Sequence, residues 1–319
     1  MKRLTSTLCG RASKYILLPL CIASLILPRH PLLILDRHGR IIAVFAGAPE
    51  DPEWPSVIRN ASTAMKEVRE EGFRLGVFTS KDETHRRGST YVPFPGGISH
   101  GGGQLVPMSK NRRYLFNKLI QNKFVRRACG FQSSIFGTFA PKLFCDYITY
   151  LQPLFEHDPN LRHNFTNSIF PAVTFNLGPQ SVTFGHVDHL NRPDGWCVVT
   201  NDGDFDYKRS AHLYLKQLKL VVEFPPAATA AIPSAVIEHG NTPLAPDETR
   251  YSITQYAAGG LFRYVKYGFR TVKQLLKQKG GQGLKAAYDG APGERHAAGL
   301  NLFSKVDELA ADHAACFGR

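Results

Sequence analysis

The spacing of apolar residues predicts short strands and then a helix near the start of the chain. Residues 32–47, LLILDRHGRIIAVFAG, place apolar and β-branched runs on both sides of an Asp-Arg-His-Gly turn, which predicts two strands. From Trp54 to Glu71 the spacing becomes helical, because one face carries a run of apolar residues: Val57, Ile58, Ala61, Met65 and Val68. We therefore expect an α/β region before the main body of the fold.

Residues 93–107, PFPGGISHGGGQLVP, are rich in glycine and predict a loop. No GK[ST] follows them, which argues against a phosphate-binding P-loop. Two interpretations stay open: a mobile connector, and a loop whose backbone approaches a ligand closely.

Two more helices and a series of strands complete the predicted elements. Helical spacing covers residues 112–127 and 134–157. After residue 170 the pattern changes to short apolar segments between Gly, Pro, Asp and Asn: PAVTFNLG, SVTFG, GWCVVTN, AHLYL, LKLVVEFP, TAAIPSAV and YSITQY. Short strands at this spacing are typical of a barrel or jelly roll. The predicted fold class is α+β, with a double-stranded β-helix (jelly-roll) core, flanking N-terminal helices and a helical C-terminal tail.

The pattern divides the chain into four regions. We expect an apolar leader (1–31), an N-terminal α/β and helical region that packs on the core (32–167), the double-stranded β-helix core (168–262) and a basic helical tail (263–319).

The leader contains an apolar run, YILLPLCIASLIL at residues 15–27, behind several basic residues, as in a signal peptide. The run is shorter than the roughly 20 residues of a spanning helix, and Pro19 interrupts it. We therefore expect no stable membrane association. A signal or anchor, an apolar leader strand and an over-extended gene start all stay open.

The chain is strongly basic, and the charge is concentrated. Its 319 residues contain 39 Lys and Arg against 26 Asp and Glu, a formal net charge of +13. Ten basic and no acidic residues lie between Thr84 and Cys145, and seven basic and no acidic ones between Arg263 and Lys285. Such blocks attract polyanions, with nucleic acid the first candidate and acidic membrane surface the second. A solvated basic face is the alternative interpretation.

Six cysteines are scattered along the chain without a CxxC pair. This spacing favours neither a disulfide framework nor a zinc knuckle. We expect a reducing compartment.

A short polar motif, FGHVDHLN at residues 184–191, stands at the edge of the predicted strands. It carries His186 and Asp188, and His239 follows Asp188 by 51 residues at the end of another apolar run. Two histidines and one carboxylate on one face of an octahedron are a donor set for Fe(II), because they leave positions for a co-substrate and O2. An HxD tripeptide is also a common turn, so the prediction rests on the combination with His239.

Arg250 adds a second element, because it opens a predicted strand eleven residues after His239. Ser252 lies on the same face of that strand, since alternate residues share a side. A guanidinium matches a carboxylate with two parallel donors, so Arg250 could hold the far end of 2-oxoglutarate. The alternative is a surface strand residue. In the order HxD, His, RxS, the set makes 2-oxoglutarate the expected co-substrate.

These motifs resemble the TET/JBP family of Fe(II)/2-oxoglutarate-dependent nucleic-acid base dioxygenases, and its fungal branch in particular. The matching set is HxDxxN (His186, Asp188, Asn191), His212 in AHLYL, His239, and RxSxxxY (Arg250, Ser252, Tyr256). The resemblance covers about residues 32–269, with phrases such as ISHGGGQ, FAPKL, FPAVTFNLGP and FRYVKYGF.

The resemblance implies a role for each matching residue. It implies iron at His186, Asp188 and His239, 2-oxoglutarate at Arg250 with help from Ser252 and His212, a target base hydrogen-bonded by Asn191, and Tyr256 packed against that base. A base that leaves the stack for chemistry needs an edge partner and an aromatic face. As alternatives, Asn191 is a good turn residue and Tyr256 a plausible core aromatic. His189 is interpreted as a turn histidine beside the site, not a ligand.

Two departures from the family pattern concern the substrate. Arg209, Ser210 and Ala211 stand where relatives have glycines, and Ala258 stands where TET enzymes have a histidine. Base specificity is therefore open.

The resemblance implies oxidation of a methylated base in DNA, 5-methylcytosine to 5-hydroxymethylcytosine and beyond, with O2, Fe(II) and 2-oxoglutarate. We expect the nucleus as its location, because a DNA substrate requires it. Two other classes stay open: a 2-oxoglutarate dioxygenase acting on a protein or small molecule, and a non-catalytic nucleic-acid-binding remnant of the same fold.

Overall fold

The computed structural model describes residues 15–17, 23–25, 31–98 and 105–318. Its strands are β1 (Tyr15–Leu17), β2 (Ala23–Leu25), β3 (Leu32–Leu35), β4 (Ile41–Gly47), β5 (Thr84–His85), β6 (Gly88–Ser89), β7 (Tyr91–Gly97), β8 (Ala172–Pro179), β9 (Cys197–Asp204), β10 (Leu213–Leu215), β11 (Leu220–Val222), β12 (Thr229–Ile232), β13 (His239–Asn241) and β14 (Thr249–Tyr256). Its helices are α1 (Trp54–Arg74), α2 (Ser80–Glu83), α3 (Lys110–Gln121), α4 (Lys123–Phe139), α5 (Pro141–His157), α6 (Gly259–Lys266), α7 (Val272–Lys277), α8 (Gly281–Asp289), α9 (Pro292–Asn301) and α10 (Leu309–Phe317).

Two facing sheets form the core. The large sheet has the order β1-β3-β4-β12-β9-β14-β8-β7, and the small sheet has the order β13-β10-β11-β2. Apolar residues of β3, β4 and β12 pack against those of β10 and β11 between the sheets. From β3 to β14 all of the ladders in these two sheets are antiparallel. Many neighbouring strands are far apart in the sequence, as in a jelly roll.

Helices cover the other face of the large sheet. α1, α3 and α4 pack on β7, β8 and β14 around Phe94, Phe116 and Phe175, and α5 and α6 form a second cluster with Phe136, Tyr147 and Trp196. Strand β14 shows why both faces can be buried. Its residues alternate, with Ile253 in the helix-facing cluster and Arg250, Ser252 and Tyr256 facing the space between the sheets. The predicted α+β jelly-roll class is confirmed.

Two predicted helices are in fact three. The Asn122 side chain accepts hydrogen bonds from the backbone N–H groups of Phe124 and Val125, at 2.9 and 3.1 Å, so a new helix begins there. Pro141 occupies the first turn of α5, where its missing N–H is tolerated. The apolar period continues across both breaks, which is why the sequence pattern merged the helices.

The predicted loop at residues 93–107 begins as a strand. Tyr91–Gly97 pairs with β8 at the edge of the large sheet, where Pro93 and Pro95 need donate no ladder hydrogen bond. Ile98 and Leu105 form an isolated bridge beyond it. Residues 99–104, and with them the question of a ligand-binding loop, lie outside the described residues.

The predicted strand SVTFG, residues 181–185, is irregular instead. Its backbone bonds to three different segments: Ser181 N–H donates to Arg250 O (3.1 Å), Thr183 O accepts from Asn241 N–H (2.8 Å), and Phe184 N–H donates to Arg87 O (2.7 Å). The segment therefore connects strands rather than joining one ladder.

Two short pieces of the apolar leader are described. β1 pairs in parallel with β3, and β2 in parallel with β11. Apart from these two strands and Pro31, the leader lies outside the described residues. Within the part of the chain that the structure describes, no helix has both the length and the apolar character needed to cross a membrane.

Candidate active site

A cavity of about 460 Å³ opens between the two sheets. Strands β8, β9 and β14 of the large sheet line it, together with β10 and β13 of the small sheet. The lining includes all but one of the residues that the sequence predicts for the site, namely His186, Asp188, Asn191, His239, Arg250, Ser252 and Tyr256.

His186, Asp188 and His239 converge in this cavity. His186 and Asp188 lie in the connection between β8 and β9, and His239 begins β13. The backbones of the two histidines exchange two N–H···O hydrogen bonds of 3.0 Å each, and their ring centroids lie 4.4 Å apart. One possible ligand atom from each of the three residues lies within 4.8 Å of the others. The local backbone pairing therefore positions the predicted triad.

Hydrogen bonds fix both imidazole rings in the form that binds metal. His186 Nδ1 lies 2.8 Å from Phe184 O, and His239 Nδ1 lies 2.9 Å from Ile237 O. Because a carbonyl oxygen can only accept, each Nδ1 donates and each Nε2 keeps its lone pair. The Nε2 atoms lie 3.7 and 3.9 Å from the carboxylate oxygens of Asp188. Burial, and then the neighbouring His239, lower the pKa of His186, which favours the neutral ring. Two imidazoles and one carboxylate so arranged fit Fe(II).

Two side chains hold the carboxylate of Asp188. Arg87, on the turn between β5 and β6, donates from Nη1 to Asp188 Oδ1 at 2.7 Å. Asn191 Nδ2 lies 3.4 Å from Asp188 Oδ2 and donates to Ser234 Oγ at 3.0 Å. Such outer contacts orient a metal ligand and tune its affinity.

Arg250 is a buried cation with an unused donor. Arg250 is only 3% exposed. Its Nη1 donates a hydrogen bond to Ser181 O, and its guanidinium lies 5.9 Å from the centroid of the Phe224 ring. Among the described residues no carboxylate forms an ion pair with it, and its Nε has no hydrogen-bond partner. Burial lowers the pKa of Arg250 to about 10. A ligand carboxylate would complete this arrangement, so the residue fits 2-oxoglutarate.

Polar neighbours extend the Arg250 end of the cavity. Ser252 Oγ accepts a hydrogen bond from Asn176 Nδ2 at 2.8 Å. Tyr91 lines the same cavity, and burial raises its pKa to about 12, so its hydroxyl stays neutral at physiological pH. Ser252 and Tyr91 therefore surround this end of the cavity with neutral polar groups.

His212 is the predicted residue that the structure leaves outside the cavity lining. It immediately precedes β10, where Leu213 faces the cavity, so strand alternation turns His212 away. Its Nδ1 lies 3.3 Å from Thr242 Oγ1. A role for His212 in co-substrate binding stays a prediction, without a cavity contact behind it.

The two residues predicted to meet the substrate, Asn191 and Tyr256, also line the cavity. Tyr256 is mostly buried at the end of β14, and its hydroxyl accepts from Thr174 Oγ1 at 3.4 Å. Asn191 forms an isolated bridge with Ala258, which lines the cavity with a small side chain where TET enzymes have a histidine. His189 is exposed at the cavity and is not part of the triad.

Sequence reasoning missed Arg87, Asn176 and Asn241. Arg87 precedes Asp188 by 101 residues and comes from a separate hairpin, so no local motif links the two. Asn176 and Asn241 carried a usable signal, because they occupy cavity-facing alternate positions on β8 and β13 once those strands are placed.

The structure combines a jelly roll with a His-Asp-His triad and a buried arginine in one cavity. Among solved structures it is similar to "NgTET1 in complex with 5mC DNA", with a TM-score of 0.51 and 12% identity over 79% of this chain and 81% of that chain. This similarity shows a shared fold and confirms the fold that the resemblance to TET/JBP enzymes implied; the fungal branch stays a prediction.

A second structure is similar over a smaller part of the chain. It is an oxidoreductase of the 2OG-Fe(II) oxygenase family from Burkholderia pseudomallei, with a TM-score of 0.29 and 14% identity over 52% of this chain and 67% of that chain. No protein-family model matches the chain, and no curated protein matches it either.

Proposed function

We propose that this protein is an Fe(II)/2-oxoglutarate-dependent dioxygenase that oxidises a methylated base in DNA, 5-methylcytosine to 5-hydroxymethylcytosine and beyond. One observation carries the dioxygenase part of the proposal. The His186-Asp188-His239 triad shares a single cavity with a buried arginine that pairs with no carboxylate among the described residues. A metal site alone would fit many jelly-roll proteins, and the added arginine favours a dicarboxylate co-substrate.

The chain's own residues position the reactants. When bound, Fe(II) would supply oxidation of a substrate C–H bond by O2, coupled to decarboxylation of 2-oxoglutarate to succinate. His186, Asp188 and His239 would hold the metal, while Arg87 and Asn191 keep the Asp188 carboxylate in place. Arg250 would bind the distal carboxylate of 2-oxoglutarate. Because Arg250 and Ser252 are both buried, a carboxylate bound there would be shielded from bulk solvent.

Three observations support a base in DNA as the substrate. The fold is shared with NgTET1, a protein solved with 5mC DNA. Asn191 and Tyr256 both line the cavity that holds the triad, which supports an amide and an aromatic ring as the contacts of a flipped base. The chain's net charge of +13 favours a polyanion. Ala258 stands where TET enzymes have a histidine, so this chain would make one polar contact fewer to the base. The identity of the base is therefore the most specific part of the proposal.

The deciding experiment is mass spectrometry of nucleosides from 5-methylcytosine duplex DNA incubated with the protein, Fe(II), ascorbate and 2-oxoglutarate. We expect 5-hydroxymethylcytosine or its further oxidation products with the intact triad. The variants His186→Ala and Asp188→Ala should give none, because each removes a metal ligand. Succinate is measured in the same reactions.

The pattern of products separates the competing functions. Succinate without an oxidised base would retain the dioxygenase and reject the substrate, and turnover that is equal with and without DNA would point to a protein or small-molecule substrate. Neither product, from protein shown to hold metal, would leave a non-catalytic nucleic-acid-binding remnant.

We also propose that the protein works in the nucleus, as a chromosomal DNA substrate requires. Microscopy of the tagged full chain tests this, and its exclusion from the nucleus would contradict the proposal.

A further inference from the structure

Asn241 faces the cavity with a hydrogen-bond donor that no described residue accepts. It lies two residues beyond the predicted ligand His239 on β13, so both side chains point to the same side of the strand. Its Nδ2 is buried and has no hydrogen-bond partner among the described residues. Because an unpaired buried donor is costly, native structures satisfy nearly all such groups with protein, water or ligand.

Hydrogen bonding fixes which way the amide of Asn241 points. Asn241 Oδ1 accepts from the Thr183 backbone N–H at 3.3 Å and lies 3.2 Å from Thr183 Oγ1. A backbone N–H can only donate, so an oxygen must stand opposite it and the amide cannot be flipped. Nδ2 is therefore the atom that lacks a partner.

The position of Asn241 relates it to Arg250. Residues 181–183 contact both side chains, since Ser181 O accepts from Arg250 Nη1 and Thr183 contacts the Asn241 amide. Two residues along a strand span about 6–7 Å. A five-carbon dicarboxylate that begins at a metal on His239 and ends at Arg250 has a similar length.

We propose that Asn241 is a co-substrate-binding residue whose Nδ2 donates a hydrogen bond to the distal carboxylate of 2-oxoglutarate, beside Arg250. The inference rests on the proposed 2-oxoglutarate-dependent function and is independent of the DNA substrate. It adds a neutral donor to the charged one, and it explains why a small polar residue occupies an otherwise costly position.

The test is isothermal titration calorimetry of the full chain loaded with Mn(II), a metal that binds the same donors without turnover. Two probes are titrated: 2-oxoglutarate, and oxalate, which chelates the metal and has no arm to reach Arg250. The variants are Asn241→Ala, which deletes the amide, and Asn241→Asp, which keeps an oxygen for Thr183 but replaces the donor with a negative charge. Asn160→Ala, at an exposed asparagine, is the control.

We expect Asn241→Ala to weaken 2-oxoglutarate binding about tenfold, the usual effect of losing a hydrogen bond to a charged group. Asn241→Asp should weaken it further, and oxalate binding should stay within about twofold in both variants, because a metal-bound ligand short of Arg250 makes no contact with Nδ2. Melting temperatures without ligand control for folding.

Each other outcome overturns the inference in a recognisable way. Unchanged 2-oxoglutarate affinity would show that Nδ2 does not contact it, and an equal loss for both probes would show that Asn241 shapes the metal site instead. If the unsubstituted protein bound oxalate but not 2-oxoglutarate, the proposed function itself would fail, and the inference with it.

Discussion

Arg250 brings together two properties at one residue: deep burial and the absence, among the described residues, of an acidic partner. Taking a guanidinium out of water without a carboxylate disfavours the folded state. Its hydrogen bond to Ser181 O and its contact with the Phe224 ring offset part of that cost. We therefore interpret Arg250 as a residue retained for ligand binding at the expense of stability.

Substitution of Arg250 should separate binding from stability. Arg250→Met should weaken 2-oxoglutarate binding by about a hundredfold or more, since a bidentate charged contact is lost. Without 2-oxoglutarate its melting temperature should equal or exceed that of the unsubstituted protein, because the uncompensated charge is gone. Thermal unfolding of Mn(II)-loaded protein, with and without 2-oxoglutarate, measures both effects.

Arg250→Lys is the matched control for charge. It keeps the positive charge but cannot form a bidentate hydrogen bond. Its 2-oxoglutarate affinity should therefore lie between that of the unsubstituted protein and that of Arg250→Met. A large drop in the melting temperature of Arg250→Met would instead assign Arg250 a structural role.

At the scale of single residues, the sequence could predict those site residues that belong to a short motif or share one strand face. His186 and Asp188 share one tripeptide, and Arg250 and Ser252 share one strand face. Arg87 has no local signal of this kind, and strand alternation could place Asn241 on the cavity side of β13 but could not give the contacts of its amide. Their roles depend on which atoms they meet, Asp188 Oδ1 in one case and Thr183 N–H in the other, and only the tertiary fold sets those contacts.

At the scale of elements, a buried ion-pair network joins the site to the helical layer. Arg192 lies one residue beyond Asn191 and donates to both carboxylate oxygens of Asp194, at 2.7 and 2.8 Å, and also to Asp146 on α5. Its guanidinium lies 4.4 Å from the centroid of the Phe262 ring on α6. The loop that carries Asp188 and Asn191 is thus held between two helices.

Loss of Arg192 should destabilise the whole fold. Arg192→Ala leaves two carboxylates, each only partly exposed, without their partner, and we expect the free energy of unfolding to fall by about 3–5 kcal/mol. Denaturant unfolding measures it. Arg74→Ala is the control: that side chain is 72% exposed and its pair with Glu71 should contribute at most about 1 kcal/mol. Equal effects of the two substitutions would contradict the role given to the network.

The loops of the triad also present apolar side chains to solvent. Phe184, Leu190 and Val236 are 58%, 59% and 52% exposed, and each lies within three residues of a predicted ligand. Only nine large apolar residues in the described part of the chain are exposed, so a third of them surround the triad. Leu190 also lines the cavity, and its carbonyl accepts from Gly259 N–H at 2.9 Å, which holds its backbone in place.

If the substrate is a base in duplex DNA, Leu190 is placed to enter the stack that the base leaves. Leu190→Ala should then lower the oxidation rate on matched duplex DNA about tenfold, because apolar wedges offset part of the cost of unstacking. On single-stranded DNA the loss should stay within about twofold, since less stacking must be broken. Rates on both substrates are compared with Leu284→Ala, an exposed leucine on α8. An equal loss on both strand forms would contradict the wedge.

Elements were predicted well where one face carries the whole signal, as on α1 with its buried stripe from Val57 to Val68. They were mispredicted where a single residue breaks a continuing apolar period, as Asn122 does between α3 and α4. They were also mispredicted where sheet position overrides local preference. Pro93 and Pro95 argue against a strand in general, yet they are tolerated in β7 because that strand is at an edge.

At the scale of the whole molecule, the basic block at residues 84–145 differs from a uniform cationic surface. Within residues 84–145, several basic side chains pair with acids that lie outside the block: Arg87 with Asp188, Lys118 with Glu71, Arg127 with Asp51, and Lys142 with Asp312. The acid-free appearance of the block was thus a property of the sequence order, since folding brings the acids in. Lys110, Arg113 and Lys123 are exposed, and no ion pair involving them occurs among the described residues.

These two sets should differ in their effect on DNA binding. Each phosphate neutralised by a protein cation contributes about 0.9 to the slope of log affinity against log salt. The triple variant Lys110→Gln, Arg113→Gln, Lys123→Gln should therefore reduce the magnitude of the slope by up to about three. The triple variant Lys118→Gln, Arg127→Gln, Lys142→Gln should leave the slope within about one, because those cations already have carboxylate partners. Fluorescence anisotropy of labelled duplex DNA from low to moderate salt measures both; a flat salt dependence in the unsubstituted protein would contradict phosphate binding by either block.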